Sequence, residues 1–162
     1  MKTQKNRKNK MSKDFTPQDE NFRSRVQNSF DRQQCMTSLN ITMSKIEPGK
    51  IELSMPFNQL YTQQHGFIHA GIITTALDSA CGYAAFTLMD PNAAVLTVEF
   101  KTNLLSPAKG DSFQFEANVI KPGRTITVAE AKAFALQGEE KKLIASMTGT
   151  LMALSERTDI KH

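Results

Sequence analysis

Residues 70–89 constrain this chain more than any other stretch, because they have helical periodicity and almost no bulk. Ile73, Leu77, Cys81 and Ala84 or Ala85 fall along one stripe, and most other positions are Ala, Gly, Ser or Thr. Side chains this small let surrounding backbone approach closely, so the helix belongs in an interior. Thr74, Thr75, Asp78, Ser79 and two glycines interrupt it too often for a membrane span.

Around that helix the chain reads mainly as strand. Phe22, Val26 and Phe30 predict a modest amphipathic helix over residues 17–34, with Thr16 as N-cap and Pro17 in the first helical position. Leu39, Ile41 and Met43 then alternate, a turn follows at Glu47-Pro48-Gly49-Lys50, and Ile51, Leu53, Met55 and Phe57 alternate with polar residues. Residues 58–69 show no period and read as a polar loop. After Asp90-Pro91-Asn92 the period becomes two, with Leu96, Val98, Phe100, Thr102 and Leu104 facing one way and Thr97, Glu99 and Lys101 the other. Turn signals at 106–110, 121–124 and 137–140 divide the second half into runs 94–105, 112–120, 125–136 and 141–154. This order predicts an α+β domain in which a six-stranded antiparallel sheet curls around one long helix. In the run 125–136, Ala129, Ala131, Ala133 and Ala135 share one face and Ile126, Val128, Phe134 and Leu136 the other. Two apolar faces imply cover on both sides, hence a second subunit, with edge pairing as a further contact.

Charge points to no polyanion-binding domain. Residues 1–13 hold six basic residues and no acidic one, leaving 14 basic against 16 acidic elsewhere, a formal −2. The divisions expected are a basic disordered tail (1–13), an N-terminal helix (14–35), the main domain (36–155) and a disordered C-terminus (156–162). A nucleic-acid partner is not expected. No apolar segment follows the basic start, so a cytoplasmic location is the default. Cys35 and Cys81 lack the spacing of a disulfide framework or zinc site. His65 and His69 have no evident third ligand, so neither metal nor cofactor is expected.

The element order, with the string Gln63-Gln64-His65-Gly66-Phe67-Ile68-His69-Ala70-Gly71 and then Asp78, resembles the hotdog-fold thioesterases of the phenylacetate-degradation (PaaI-like) type. The likeness covers roughly residues 36–154. It implies a hotdog fold and hydrolysis of a fatty or aryl acyl-CoA by a homo-oligomer, a dimer or homotetramer. Gly66, His69, Ala70, Gly71 and Asp78 match the family's active-site spacing, with Ala70 standing where glycine is common. Gln63 stands where related enzymes carry Asn or Gln. Leu96-Thr97-Val98-Glu99-Phe100 resembles the interface strand and places a hydroxyl at Thr97, while Gly123-Arg124 resembles the CoA-contacting turn, with Lys121 beside it.

Thioester hydrolysis needs an oxygen nucleophile and fixed donors for the developing oxyanion. Backbone N–H groups of Ala70 and Gly71, at a helix start, lack intrahelical partners and are the expected donors. Asp78 lies seven residues beyond Gly71, about 10 Å along the axis, too far to serve the same carbonyl. The resemblance implies that the donors of one subunit face the Asp of its partner, with Asp78 as general base or as nucleophile forming an anhydride. A carboxylate among such small neighbours must be paired or functional. Positioning is the expected role of His69, holding the lytic water or the thioester that of Gln63, orientation of water that of Thr97, and phosphate contact that of Lys121 and Arg124. Two alternatives remain: a hydroxyacyl-thioester dehydratase pairing His69 with Asp78, and a non-catalytic acyl-CoA sensor.

Overall fold

The first helix, α1 (Phe22–Asp31), buries Phe22, Val26 and Phe30 as their spacing predicts. In this computed structural model, which describes residues 15–155, it begins later than Thr16 and Pro17 suggest. Asp19 is the reason: its carboxylate accepts the Asn21 N–H at 2.8 Å and the Arg25 guanidinium at 2.7 Å, holding the preceding residues in a turn. The tails expected over 1–13 and 156–162 lie outside the described residues. Gln33 is extended and breaks the helix before α2 (Gln34–Ser38).

The first strand, β1 (Thr42–Glu47), also starts later than the alternation suggests. Leu39 and Ile41 are buried, but Asn40 between them adopts φ +52, a left-handed turn that Asn tolerates. Their apolar alternation comes from two loop residues dropping into the core. Next are β2 (Lys50–Pro56), α3 (Ala70–Phe86), β3 (Ala94–Leu104), β4 (Ser112–Lys121), β5 (Ile126–Gln137) and β6 (Glu140–Leu154). All pairings are antiparallel, in the order β1-β2-β4-β5-β6-β3, and α3 packs on β2 through β6. This is the expected hotdog arrangement, a six-stranded sheet curled around one central helix.

Small residues allow the close approach. Ala129, Ala131, Ala133 and Ala135 of β5 and Ala76, Ala80 and Ala84 of α3 are all buried. Gly149 of β6 faces Cys81, and a Cβ placed there would lie 3.7 Å from the Cys81 Cβ, in ordinary contact. Gly149→Ala is therefore expected to fold normally. Gly149→Val should lose about 1–3 kcal/mol through overpacking, read as a lowered midpoint in urea unfolding.

At its far end α3 stops three residues short of Met89. The Arg25 guanidinium donates to the carbonyls of Phe86 (3.2 Å) and Met89 (3.0 Å), bringing a cation to the negative end of the helix. Thr87 is diverted too: its hydroxyl accepts the Gly49 N–H at 2.7 Å and donates to the Ala84 carbonyl.

The edge strand β3 departs from the strict alternation in its sequence. Its register pairs Thr97 with Leu151 and Phe100 with Gly149, with an irregularity between Thr97 and Glu99. Directly opposed residues share a face, and Leu151 and Gly149 both face α3, so Thr97 and Phe100 lie on the same side. The expectation that they point apart is corrected by this bulge at Val98. Along β3, Leu96, Val98, Phe100 and Leu104 remain 43–60% exposed. No helix among the described residues is long and apolar enough to cross a membrane.

Candidate active site

The segment before α3 is a closed loop. Thr62 and Ile68 form a bridge, Gln63 N–H donates to the Phe67 carbonyl, and Gly66 N–H donates to the Gln63 carbonyl, each at 2.9 Å. The Gln63 side-chain oxygen accepts the His65 N–H at 2.6 Å, so this oxygen serves the loop itself. Gly66 has φ +80, a conformation that side chains rarely adopt. Ile68 N–H to the Ala108 carbonyl (3.0 Å) and His69 N–H to the Tyr61 carbonyl (2.9 Å) then fix where α3 starts.

His69 is the N-cap of α3. Its Nδ1 accepts the Gly71 N–H at 2.9 Å, which puts the proton of the neutral ring on Nε2. Of the two donors expected at this helix start, Gly71 N–H is thus occupied within the protomer. Ala70 N–H has no acceptor among the described residues.

Asp78 stands near the middle of α3, half-buried, on the side facing β3. Thr97 Oγ1 donates to its Oδ1 at 2.8 Å, a contact the bulge makes possible by turning Thr97 toward the helix. Burial pushes the Asp78 carboxyl above its ordinary value of 3.8, and the Thr97 hydrogen bond pulls it partly back. Cys81, almost a turn further on, has its thiol pushed up to about 12, first by burial and then by the charges of Asp78 and Glu130. It is a packing residue rather than a nucleophile at neutral pH.

A cavity of about 110 Å³ opens beside Asp78, lined by Gln33, Ser79, Gly82, Tyr83, Val95 and Thr97. Of these, only Asp78 and Thr97 are anticipated as site residues. Gly82 carries a sequence signal, since it follows Asp78 by four residues and so shares its helix face, whereas Ser79, the next residue along, does not. Gln33 carries none, because it arrives from the α1–α2 connection through tertiary packing. Its side-chain oxygen accepts from Ser79 Oγ at 3.5 Å, and the Tyr83 hydroxyl meets Ser29 Oγ at 3.2 Å.

The remaining residues lie elsewhere. Gly123 and Arg124 join Met89, Asp90 and Asn92 in a cleft of about 440 Å³ at the C-terminal end of α3, well away from the Asp78 cavity. A Cβ on Gly123 would stand 2.2 Å from the Ile126 carbonyl oxygen, so this turn excludes any side chain there. Lys121 and Arg124 have no acidic partner within 4 Å among the described residues. Neither they nor the start of α3 reach Asp78 within one protomer. Among the described residues no group of three His, Cys, Asp or Glu side chains is placed to hold a metal ion.

Comparison with known proteins extends this picture. The profile of the Thioesterase superfamily matches residues 65–142, from the loop before α3 into β6. A thioesterase family protein from Silicibacter pomeroyi superposes with a TM-score of 0.82 at 56% identity, over 83% of this chain and 98% of that one. Human acyl-coenzyme A thioesterase 13 is 29% identical over 87 residues, 53% of this chain and 61% of that protein. The E. coli PaaI protein from the phenylacetic acid degradation operon, at 18% identity, shares the fold with a TM-score of 0.75 over 83% of this chain and 94% of that one. With the fold, the loop before α3 and a relative of this identity in agreement, the chain belongs to the thioesterase superfamily and is a hotdog-fold thioester hydrolase.

Proposed function

We propose that the protein hydrolyses acyl-CoA thioesters to the free acid and CoA, with Asp78 as the catalytic carboxylate. The observation that carries this reading is the Asp78–Thr97 pair beside an open cavity. A half-buried carboxylate held by one hydroxyl, with no cation paired to it among the described residues, retains basicity that a salt bridge would remove. As general base, Asp78 takes a proton from water while the water oxygen bonds to the thioester carbon. The tetrahedral intermediate collapses with loss of the C–S bond, and the proton passes from Asp78 to the departing thiolate. Direct attack by Asp78, giving an anhydride that water then cleaves, uses the same residues.

The oxyanion donors come, on this reading, from a second copy of the chain. Ala70 N–H is unengaged among the described residues but about 12 Å along the helix from Asp78, so one protomer does not complete the site. The exposed apolar edge of β3, which carries Thr97, is where the partner would dock, as a dimer or through further pairing as a tetramer. His69 holds the helix start through Gly71, Gln63 shapes the preceding loop, and Lys121 with the Gly123-Arg124 turn are candidates for the CoA phosphates. The acyl-CoA substrate class is supported by the name of the human relative.

Thiol release from a panel of CoA esters tests the reading, run beside hydration of crotonyl-CoA. Steady thiol release supports hydrolysis, whereas hydration without thiol release would make the protein a dehydratase. Thr97→Val supplies a finer check. Losing the hydrogen bond that favours the ionised carboxylate raises the Asp78 pKa further, so the acid limb of the kcat/KM profile should move to higher pH. An unmoved limb would remove Thr97 from the site.

A further inference from the structure

Gly82 lies inside α3 with no left-handed φ, and a methyl group added there would meet nothing within 4 Å among the described residues of the protomer, its own helix backbone and chain neighbours apart. Glycine in a helix interior is disfavoured against alanine, so neither backbone conformation nor packing within the protomer accounts for it. What it does adjoin is empty space. It follows Asp78 by four residues, on the same helix face, and both border the cavity of about 110 Å³. Gln33 lines it too, its side-chain oxygen accepting from Ser79 Oγ, as does Tyr83, itself 4% exposed and tied to Ser29.

The cavity's size limits what it can hold. Its volume of about 110 Å³ within one protomer is of the same order as the roughly 150 Å³ that accommodates one benzene ring, so the part of the site that this chain builds suits a short chain or a single ring. The nucleotide and pantetheine parts of CoA are far larger and must lie outside it. If Asp78 acts on the thioester carbonyl, the group reaching past it toward Gly82 is the acyl group.

We propose that this cavity is the acyl pocket, that Gly82 keeps it open beside Gln33, and that it selects compact acyl groups over long fatty chains. The inference rests on the acyl-CoA thioesterase reading and adds the residue that sets specificity. Gly82 is a specificity residue and takes no part in bond making.

The test compares wild type with Gly82→Ala and Gly82→Val, using kcat/KM for acetyl-, hexanoyl-, benzoyl- and palmitoyl-CoA together with thermal unfolding. Wild type should favour hexanoyl- or benzoyl-CoA over palmitoyl-CoA by at least about tenfold, the factor that roughly 1.4 kcal/mol of pocket contact supplies. Gly82→Ala should raise Tm by a few degrees, because helix propensity improves, while the benzoyl-to-acetyl ratio of kcat/KM falls several-fold. Gly82→Val should lower that ratio further. A raised Tm with an unchanged ratio, or a wild type that prefers palmitoyl-CoA, overturns the proposal. If wild type cleaves none of the esters, the hydrolase reading fails, and the pocket is judged by saturation-transfer NMR with benzoate. Benzoate contacts present in wild type and lost in Gly82→Val then support the pocket, and their absence in wild type or persistence in the variant rejects it.

Discussion

Asp78→Asn is expected to reduce thioester hydrolysis by roughly 10²–10⁴-fold, the range that a positioned proton acceptor contributes. Asparagine keeps the shape and can still accept the Thr97 hydroxyl hydrogen at its amide oxygen, but it neither takes a proton from water nor attacks the carbonyl. Thiol release at saturating substrate measures the loss. Stability should move the other way. Burial raises the Asp78 pKa in the folded state, so this group's favourable contribution is full below its unfolded value near 3.8 and disappears as pH rises through the folded value. At neutral pH the buried charge is a net cost, which asparagine avoids. The variant should therefore unfold at the same temperature as wild type or higher, and any advantage should shrink as pH falls toward 4. A variant that is inactive and also much less stable would instead make Asp78 a structural residue.

Phe100→Asp on the edge strand is expected to give a monomer and to cut activity by about 10²–10³-fold, the loss associated with missing oxyanion donors. Phe100 is 43% exposed in the protomer, so a large part of the ring is open to a partner. A second copy docked on β3 would bury it, and a charge there opposes edge pairing. Sedimentation velocity reads the assembly, and activity measured against protein concentration reads the linkage. Residual activity should climb with concentration as mass action restores the dimer. Full activity in a demonstrated monomer would show that one chain holds the whole site.

Much of this architecture is legible in the order of periods along the chain. The switch from 3.6 to 2 after Asp90-Pro91-Asn92 and the regular turn signals mark strands that the structure bears out to within a few residues. Errors fall where a tertiary contact outcompetes a local signal. Asp19 takes over from Thr16 and Pro17, Arg25 and Thr87 end α3 early, and Asn40 turns the chain where alternation suggested strand. Asp78 is conspicuous in sequence because a carboxylate among Ala, Gly and Leu demands an explanation. Gln33, from a different element, leaves no such trace.

By itself the sequence determined which segment lies at the centre, since a run of such small side chains is stable only where other backbone packs closely on it, and which acid that segment carries. Tertiary structure alone decided what the acid meets. The bulge at Val98 turns the Thr97 hydroxyl toward Asp78, the α1–α2 connection brings Gln33 to the cavity wall, and the His69 ring occupies the Gly71 N–H. Each depends on strand register or on contacts between residues distant in sequence, and periodicity records only which way a side chain faces along its own element.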